Sequence, residues 1–271
     1  MAEIADEGPE AHKMPLIDHL IELRRRIFYS IAALFVVFLV AFFFAEYIYG
    51  FLTQPLAHLL LAQGDAESAR MIYTDLTEVF FTYVKVSFFF AAFVTCPVFL
   101  SQIWMFVAPG LYRHERRAFA PFLVASPILF FIGAALVYYL ILPMAWHFFL
   151  SFQTQGGDGM LPIQLEAKVS EYLSLTMKLL FAFGLCFQLP VLMTLLARVG
   201  LATSDGMRAK RKYAIVGVFI LAAIFTPPDP LSQISLALPI IGLYEISILM
   251  ARLVERERAK AEKAAEEAAD D

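Results

Sequence analysis

Long apolar segments with few charges constrain the fold of this chain more than any other feature. Residues 27–44 contain no charged side chain, and at 1.5 Å of helical rise per residue they extend about 27 Å, close to the thickness of a bilayer core. Similar segments recur along the chain. The sequence therefore predicts six transmembrane helices, at 27–44, 79–107, 119–142, 172–196, 213–225 and 234–250.

The composition favours a membrane protein over a soluble one. Apolar residues make up 60% of the 271 residues and charged residues only 17%. Cys96 and Cys186 each lie inside an apolar segment, which favours a packing role over a disulfide or a metal site. We expect an all-α polytopic membrane protein without a cofactor or a metal.

Lysine and arginine are distributed unevenly between the connections. Of the 21 basic residues, 17 lie in the alternate connections 1–26, 108–118, 197–212 and 251–271, while the intervening connections hold two and the spans two. Basic short connections stay in the cytoplasm, so both termini are predicted to be cytoplasmic. The chain then divides into a cytoplasmic N-terminal segment at 1–26, a six-helix transmembrane domain at 27–250 and a cytoplasmic tail at 251–271.

The last two predicted spans are unusual. Residues 213–225 form only about 20 Å of helix, so the bilayer thins there or neighbouring helices cover the gap. The sixth span carries Pro239 and Glu245. An ionisable group inside a span is a functional candidate, although a paired structural carboxylate fits Glu245 equally well.

The segment before the first span is amphipathic. Leu16, Leu20 and Leu23 recur at helical spacing, which predicts a helix lying at the membrane surface. Glu22 lies four residues before Arg26 and either forms a surface ion pair with it or is available to a ligand. His19 fits a proton relay or, more commonly, a polar packing residue.

A second polar cluster follows the second span. Aromatic residues at 104 and 106 precede three arginines, as at a membrane interface on the cytoplasmic side. Glu115 stands among these arginines. It either balances their charge or serves a ligand.

Three stretches on this six-span frame carry a resemblance to a known family: HLIELR at 19–24, APGLYRHERR at 108–117 and FTPPD at 225–229. In this order and in these places the chain resembles the TatC family, the receptor subunit of the twin-arginine protein translocase, over residues 14–252. The resemblance implies a bacterial cytoplasmic (inner) membrane protein that binds the twin-arginine signal peptides of folded precursors. It also implies self-association, assembly with the single-span subunits TatA and TatB, and transport driven by the proton-motive force.

The resemblance assigns roles to particular residues. The family's receptor carboxylates fall on Glu22 and Glu115, and Phe106, Arg24 and His19 belong to the same signal-binding region. The chemistry is consistent, because each guanidinium of a twin-arginine signal can form a bidentate bond with a carboxylate, which lysine cannot.

Other matching positions are assigned to partner contacts or to structure: Gln188, Pro55, Pro97, Asp229, Glu245 and Lys85. Some family members carry Glu where this chain has Gln188, which keeps the hydrogen bonding and loses the titration. Kinks and packing explain the prolines equally well, snorkelling explains Lys85, and a turn explains Asp229.

A secondary transporter of a small solute is the main alternative, because short and proline-interrupted spans also form substrate sites. The lack of an internal repeat and the few charges within the spans argue against it. The sequence has neither a nucleophile motif nor a His-Glu-x-x-His run, so we do not expect an enzyme. Membrane lipid is an expected partner, and nucleic acid is not.

Overall fold

The computed structural model describes residues 16–62, 70–107, 113–154, 156–157, 159, 161–225 and 230–270. This part of the chain is mostly helical, as the apolar segments predict. It contains two short strands, a π-helical turn at Val137–Ile141 and ten α-helices: α1 Leu16–Phe43, α2 Ala45–Ala62, α3 Glu78–Val107, α4 Arg113–Leu136, α5 Leu142–Leu150, α6 Val169–Cys186, α7 Leu189–Arg198, α8 Ser204–Ala209, α9 Arg211–Phe225 and α10 Pro230–Asp270.

Five segments of the described chain are long and apolar enough to cross a membrane, one fewer than the sequence predicts. They are His19–Phe43, Glu78–Phe106, Phe122–Leu150, Val169–Arg198 and Gln233–Lys260. Each overlaps one of the predicted spans. The remaining predicted span, at 213–225, corresponds to α9, whose 15 residues extend only about 22 Å.

The first helix is continuous across the predicted domain boundary at residue 26. Helix α1 has 28 residues and is about 42 Å long, so it exceeds the thickness of a bilayer core by about 12 Å. The predicted surface helix and the first predicted span are therefore parts of one helix, without a break between them.

Helix α1 packs antiparallel to α3. The ring of His19 contacts the ring of Phe106, and nineteen residues further along α1 the ring of Phe38 contacts that of Phe88. We call the end at which α1 begins and α3 ends the proximal end of the bundle, and the end at which α1 finishes the distal end.

Helix α2 covers the distal end. Its buried residues recur at intervals of three and four, so one face of the helix is apolar: Ala45, Ile48, Leu52, Pro55, Leu56 and Leu60. The hydroxyl of Tyr138 donates to the carbonyl of Phe51 over 2.7 Å, and the hydroxyl of Tyr172 donates to the carbonyl of Leu52 over 3.0 Å. These bonds tie α2 to two of the membrane segments.

A small parallel sheet joins the two distal connections. Strand β1, Met71–Ile72, pairs with strand β2, Ala167–Lys168. Beside it, Glu78 begins α3, accepts a hydrogen bond from the backbone of Ser170 over 3.2 Å and lies 3.7 Å from the ammonium of Lys168. The sheet and this carboxylate fix the start of α3 against the start of α6.

Helices α4 and α6 approach each other closely through two glycines. A Cβ atom added at Gly184 would lie 2.5 Å from the ring of the fully buried Phe130, and one added at Gly133 would lie 2.8 Å from the carbonyl oxygen of Phe183. Small residues let membrane helices pack with their backbones in contact. Phe183 and Phe187, which line this contact, belong to the main apolar core.

Candidate functional site

The proximal ends of α1 and α3 bring together several of the residues that the sequence assigns to signal binding. Glu22 faces α3 in the second turn of α1, and His19 stacks on Phe106 with ring centroids 4.2 Å apart and planes 20° apart. Each of these three side chains is only partly exposed. The stacking holds the beginning of α1 against the end of α3 and so fixes the position of the Glu22 carboxylate.

Glu22 forms an ion pair with Arg26 of the next helical turn. The Arg26 Nε donates to Glu22 Oε1 over 3.0 Å, and Arg26 Nη2 donates to the same oxygen. The exposed fractions of the two side chains are 19% for Glu22 and 20% for Arg26. The other oxygen, Oε2, is closed to solvent and accepts no hydrogen bond from the described residues. The pairing that the i,i+4 spacing allows is therefore present, but it uses one carboxylate oxygen.

A neighbouring glutamine completes this cluster. Arg26 Nη1 donates to the side-chain oxygen of Gln102 on α3 over 3.3 Å. A cavity of about 320 Å³ adjoins the cluster and is lined by Glu22, Arg25, Arg26, Tyr29, Gln102 and Met105. The Arg25 guanidinium lies 5.6 Å from the centre of the Tyr29 ring. The cavity thus combines an acidic group, two cationic groups and apolar walls.

The structure leaves one predicted binding residue outside this cluster. Arg24 is exposed. It follows Glu22 by two positions, about 200° around the helix, and so lies on nearly the opposite face of α1. Arg24 therefore does not line the cavity.

The side chains of two further predicted residues lie outside the part of the chain that the structure describes. Glu115 is the third residue of α4, so its backbone lies in the first turn of that helix, while its side chain lies outside the described part of the chain. Asp229 lies outside the described residues altogether. The joint role of Glu22 and Glu115 in signal binding therefore stays a prediction.

Gln188 lies where the fourth membrane segment is interrupted, between α6 and α7. Pro190 follows it at the start of α7. The Gln188 amide donates to the backbone carbonyl of Ser126 on α4 over 2.8 Å, and the Ser126 hydroxyl accepts from the indole of Trp104 on α3 over 3.3 Å. Three membrane segments meet at Ser126, and Gln188 belongs to this junction.

The remaining assigned residues differ in their surroundings. Pro55 is buried in α2 and lines a distal cavity of about 260 Å³ together with Tyr138. Pro97 is half-buried inside α3, where its missing N–H removes one backbone hydrogen bond from the helix. Lys85 is exposed, two turns into the same helix.

Glu245 is paired rather than isolated. Arg211, the first residue of α9, donates to the Glu245 carboxylate over 2.5 Å, and both side chains are nearly half exposed. Of the two interpretations of Glu245, the geometry favours the paired structural carboxylate.

Sequence reasoning missed Gln102, Ser126 and Arg211 as members of these clusters. Gln102 carried a usable signal, because a lone amide near the end of an apolar segment requires a polar partner. Ser126 and Arg211 gave no comparable signal, since their partners lie 62 and 34 residues away in sequence.

Comparisons with known proteins agree with this arrangement. Residues 18–239 match the family described as Sec-independent protein translocase protein (TatC). The chain belongs to the TatC family. The match covers the proximal cluster, the junction at Ser126 and the distal helix α2.

TatC proteins of several bacteria align with nearly the whole chain. The Sec-independent protein translocase protein TatC of Magnetococcus marinus is 49% identical over 256 residues, 94% of this chain and 90% of the relative. The TatC protein of Escherichia coli strain K12 is 40% identical over 238 residues, 88% of each chain. A crystal structure described as that of the twin-arginine translocase receptor TatC superimposes with a TM-score of 0.72 at 34% identity, over 88% of this chain and 99% of that one.

Proposed function

We propose that this chain is the receptor subunit of a twin-arginine translocase and that it binds the arginine pair of a signal peptide through Glu22 and Glu115. The family match and the solved receptor structure support the role. The observation that carries the site is the Glu22 carboxylate, which adjoins the proximal cavity and has one oxygen without a partner among the described residues.

The cavity accounts for the preference for arginine. A guanidinium is planar and donates two parallel N–H bonds to a carboxylate, whereas a lysine ammonium is a point charge without this geometry. Tyr29 and Met105 give the cavity apolar walls, against which the stem of an arginine can pack. His19 and Phe106 position this surface, and Arg24 lies outside it on the exposed face of α1.

The proposed topology has six crossings, with both termini in the cytoplasm. The charge distribution of the sequence supports this orientation, with 17 basic residues in one set of connections and two in the other. Helix α9 is the fifth crossing, and its Arg211–Glu245 ion pair lies at the cytoplasmic surface. The first turns of α1 extend beyond the bilayer core and lie at the cytoplasmic interface, where the exposed Leu20 contacts lipid headgroups.

The remaining assigned residues serve assembly in this proposal. Gln188 meets a single-span partner, TatA or TatB, beside the interruption between α6 and α7. Pro55, Pro97, Lys85, Asp229 and Glu245 maintain the surfaces for partners and for self-association. Six helices are too few to enclose a channel for a folded domain, so transport driven by the proton-motive force opens a path with these partners and the surrounding lipid of the cytoplasmic membrane.

The receptor role is tested by cross-linking in membranes. A twin-arginine precursor with a photoreactive residue beside its arginines is mixed with membranes that contain the wild type, Glu22→Gln, Glu115→Gln or the double variant. Glu257→Gln is the matched control, because Glu257 is an exposed glutamate on the extension of α10. We expect the double variant to lose most of the cross-link and the control to keep it. Undiminished cross-linking of the double variant would refute the role of both carboxylates.

A further inference from the structure

We propose that Arg26 is an internal competitor of the signal peptide: it occupies Glu22 in the free receptor and must be displaced by an arginine of the signal. This inference rests on the proposed function of Glu22 and adds a residue that sets the affinity of that site. The observation behind it is the way in which Arg26 holds the carboxylate.

Arg26 holds Glu22 in an incomplete manner. Both of its donating nitrogens, Nε and Nη2, bond to Oε1, and Oε2 accepts no bond from the described residues. The strongest guanidinium–carboxylate pairs use two parallel N–H···O bonds, one to each oxygen. Arg26 is attached to the same helix one turn away, and in this arrangement it does not reach both oxygens.

A guanidinium that enters from the cavity has no such attachment. It can align its fork with both oxygens of Glu22 once the Arg26 side chain has moved aside. Oε2 is closed to solvent and has no partner among the described residues, so a guanidinium that reaches it gives this oxygen its hydrogen bond. Arginine recognition is thus an exchange of a one-oxygen pair for a two-oxygen pair.

Gln102 gives the displaced arginine a place to go. Its side-chain oxygen already accepts from Arg26 Nη1 at 3.3 Å, the long end of the hydrogen-bond range. When Glu22 turns to the signal, Arg26 keeps this partner and can shorten the bond. The charge of Arg26 therefore need not be left without a hydrogen bond in the loaded receptor.

The exchange costs the same free energy for every signal, because each signal must break the same Arg26–Glu22 pair. A signal arginine gains a second carboxylate oxygen and so compensates for the pair it breaks. A signal lysine offers a point charge and gains no bidentate geometry. Arg26 therefore lowers the affinity of both signals by the same factor, and the second carboxylate oxygen makes arginine the signal that can meet this cost.

The test compares two peptides on the full-length receptor, purified in detergent. A fluorescent twin-arginine signal peptide and its twin-lysine counterpart are titrated against the wild type and Arg26→Gln, and the dissociation constant of each peptide is measured. We expect both peptides to bind Arg26→Gln more tightly, with each dissociation constant lower by about threefold or more, the size of a weak ion-pair effect.

Two further variants separate this explanation from others. Arg25→Gln removes the same charge from the same cavity without freeing Glu22, so it should lower the dissociation constants much less than Arg26→Gln does. Arg26→Lys keeps the charge and removes the fork, so its dissociation constants should lie between those of the wild type and Arg26→Gln, which also guards against a folding defect of the glutamine variant.

The possible outcomes distinguish the inference from the function on which it rests. If the wild type does not bind the twin-arginine peptide, or if Glu22→Gln binds it as well as the wild type, the proposed function fails. If Glu22→Gln loses binding but Arg26→Gln leaves both dissociation constants unchanged or raises them, Arg26 is a structural residue and the competitor proposal is wrong. An equal fall of the dissociation constants in Arg25→Gln would assign the effect to net charge and would also overturn it.

Discussion

Arg211, the first residue of α9, is ion-paired with Glu245, which lies sixteen residues into α10 counting from Pro230. The pair places these two residues at the same depth. From that depth α9 extends about 22 Å and the first part of α10 about 24 Å, both short of a bilayer core of about 30 Å. If both helices cross, the membrane is thin at this hairpin.

The crossing of α9 can be tested by labelling single cysteines. In a background of Cys96→Ala and Cys186→Ala, we expect Lys212→Cys to react with a membrane-impermeant maleimide only in inverted vesicles and Pro230→Cys only in intact cells. Both positions are exposed, so a lack of reaction reports the membrane and not burial. Labelling of both from the same side would show that α9 does not cross.

The close approach of α4 and α6 predicts a cost for any side chain at Gly184. Gly184→Ala would place a Cβ atom 2.5 Å from the Phe130 ring, which is fully buried and cannot move freely. We expect a loss of about 1–3 kcal/mol, measured as a lower midpoint of thermal unfolding in detergent. Gly242→Ala is the matched control, because in the described chain no atom outside its own stretch of helix lies within 4 Å of its Cβ position. An equal effect at both positions would contradict the packing argument.

The attachment of α2 predicts different effects for two adjacent tyrosines. Tyr138→Phe removes the hydrogen bond to the carbonyl of Phe51 and should lower the stability by about 0.5–1.5 kcal/mol. Tyr139→Phe is the control, because Tyr139 is 72% exposed and its hydroxyl makes no hydrogen bond to the described residues. The comparison is made by thermal unfolding. If the two variants unfold alike, this bond does not hold α2 in place.

Substitution of Gln188 should impair assembly with a single-span partner and leave signal binding intact. Gln188→Leu removes the donor to the Ser126 carbonyl and the polar group offered to a partner helix. We expect less of a single-span partner to co-purify with this variant, while its cross-link to a twin-arginine precursor persists.

A second glutamine provides the control for this prediction. Gln233 also donates from a membrane segment to a backbone carbonyl, that of Phe219, over 3.2 Å. We expect the single-span partner to co-purify with Gln233→Leu as it does with the wild type. Equal loss of the single-span partner from the two variants would indicate a general effect of removing an amide from a membrane segment.

Much of this fold follows from local sequence patterns. The apolar segments locate five membrane helices, and the four-residue spacing of Glu22 and Arg26 allows the ion pair that the structure contains. The membrane helices and this ion pair depend on helix geometry and on the preference of apolar side chains for the bilayer, which act over a few helical turns. Helix α2 was missed although Ile48, Leu52 and Leu56 recur at helical spacing, because polar residues between them keep the segment from resembling a span.

The long-range contacts could not be predicted in the same way. The bond from Gln188 to Ser126, the bond from Arg26 to Gln102 and the depth of Arg211 all depend on how separate helices pack. Packing direction and register are set by close contacts such as that of Gly184 with Phe130, which no single segment encodes. The approach of Glu115 to Glu22 is likewise a matter of helix packing and could not be predicted from either segment.

The central claim is that the arginines of a signal peptide bind beside Glu22, and the most direct measurement is the position of their cross-link. A twin-arginine precursor with a photoreactive residue next to its arginines is irradiated on wild-type membranes, and the labelled receptor peptides are identified by mass spectrometry. We expect labels in residues 19–29 and 102–117, at the proximal ends of α1 and α3 and the start of α4. Labels confined to α2 and the distal connections would contradict it.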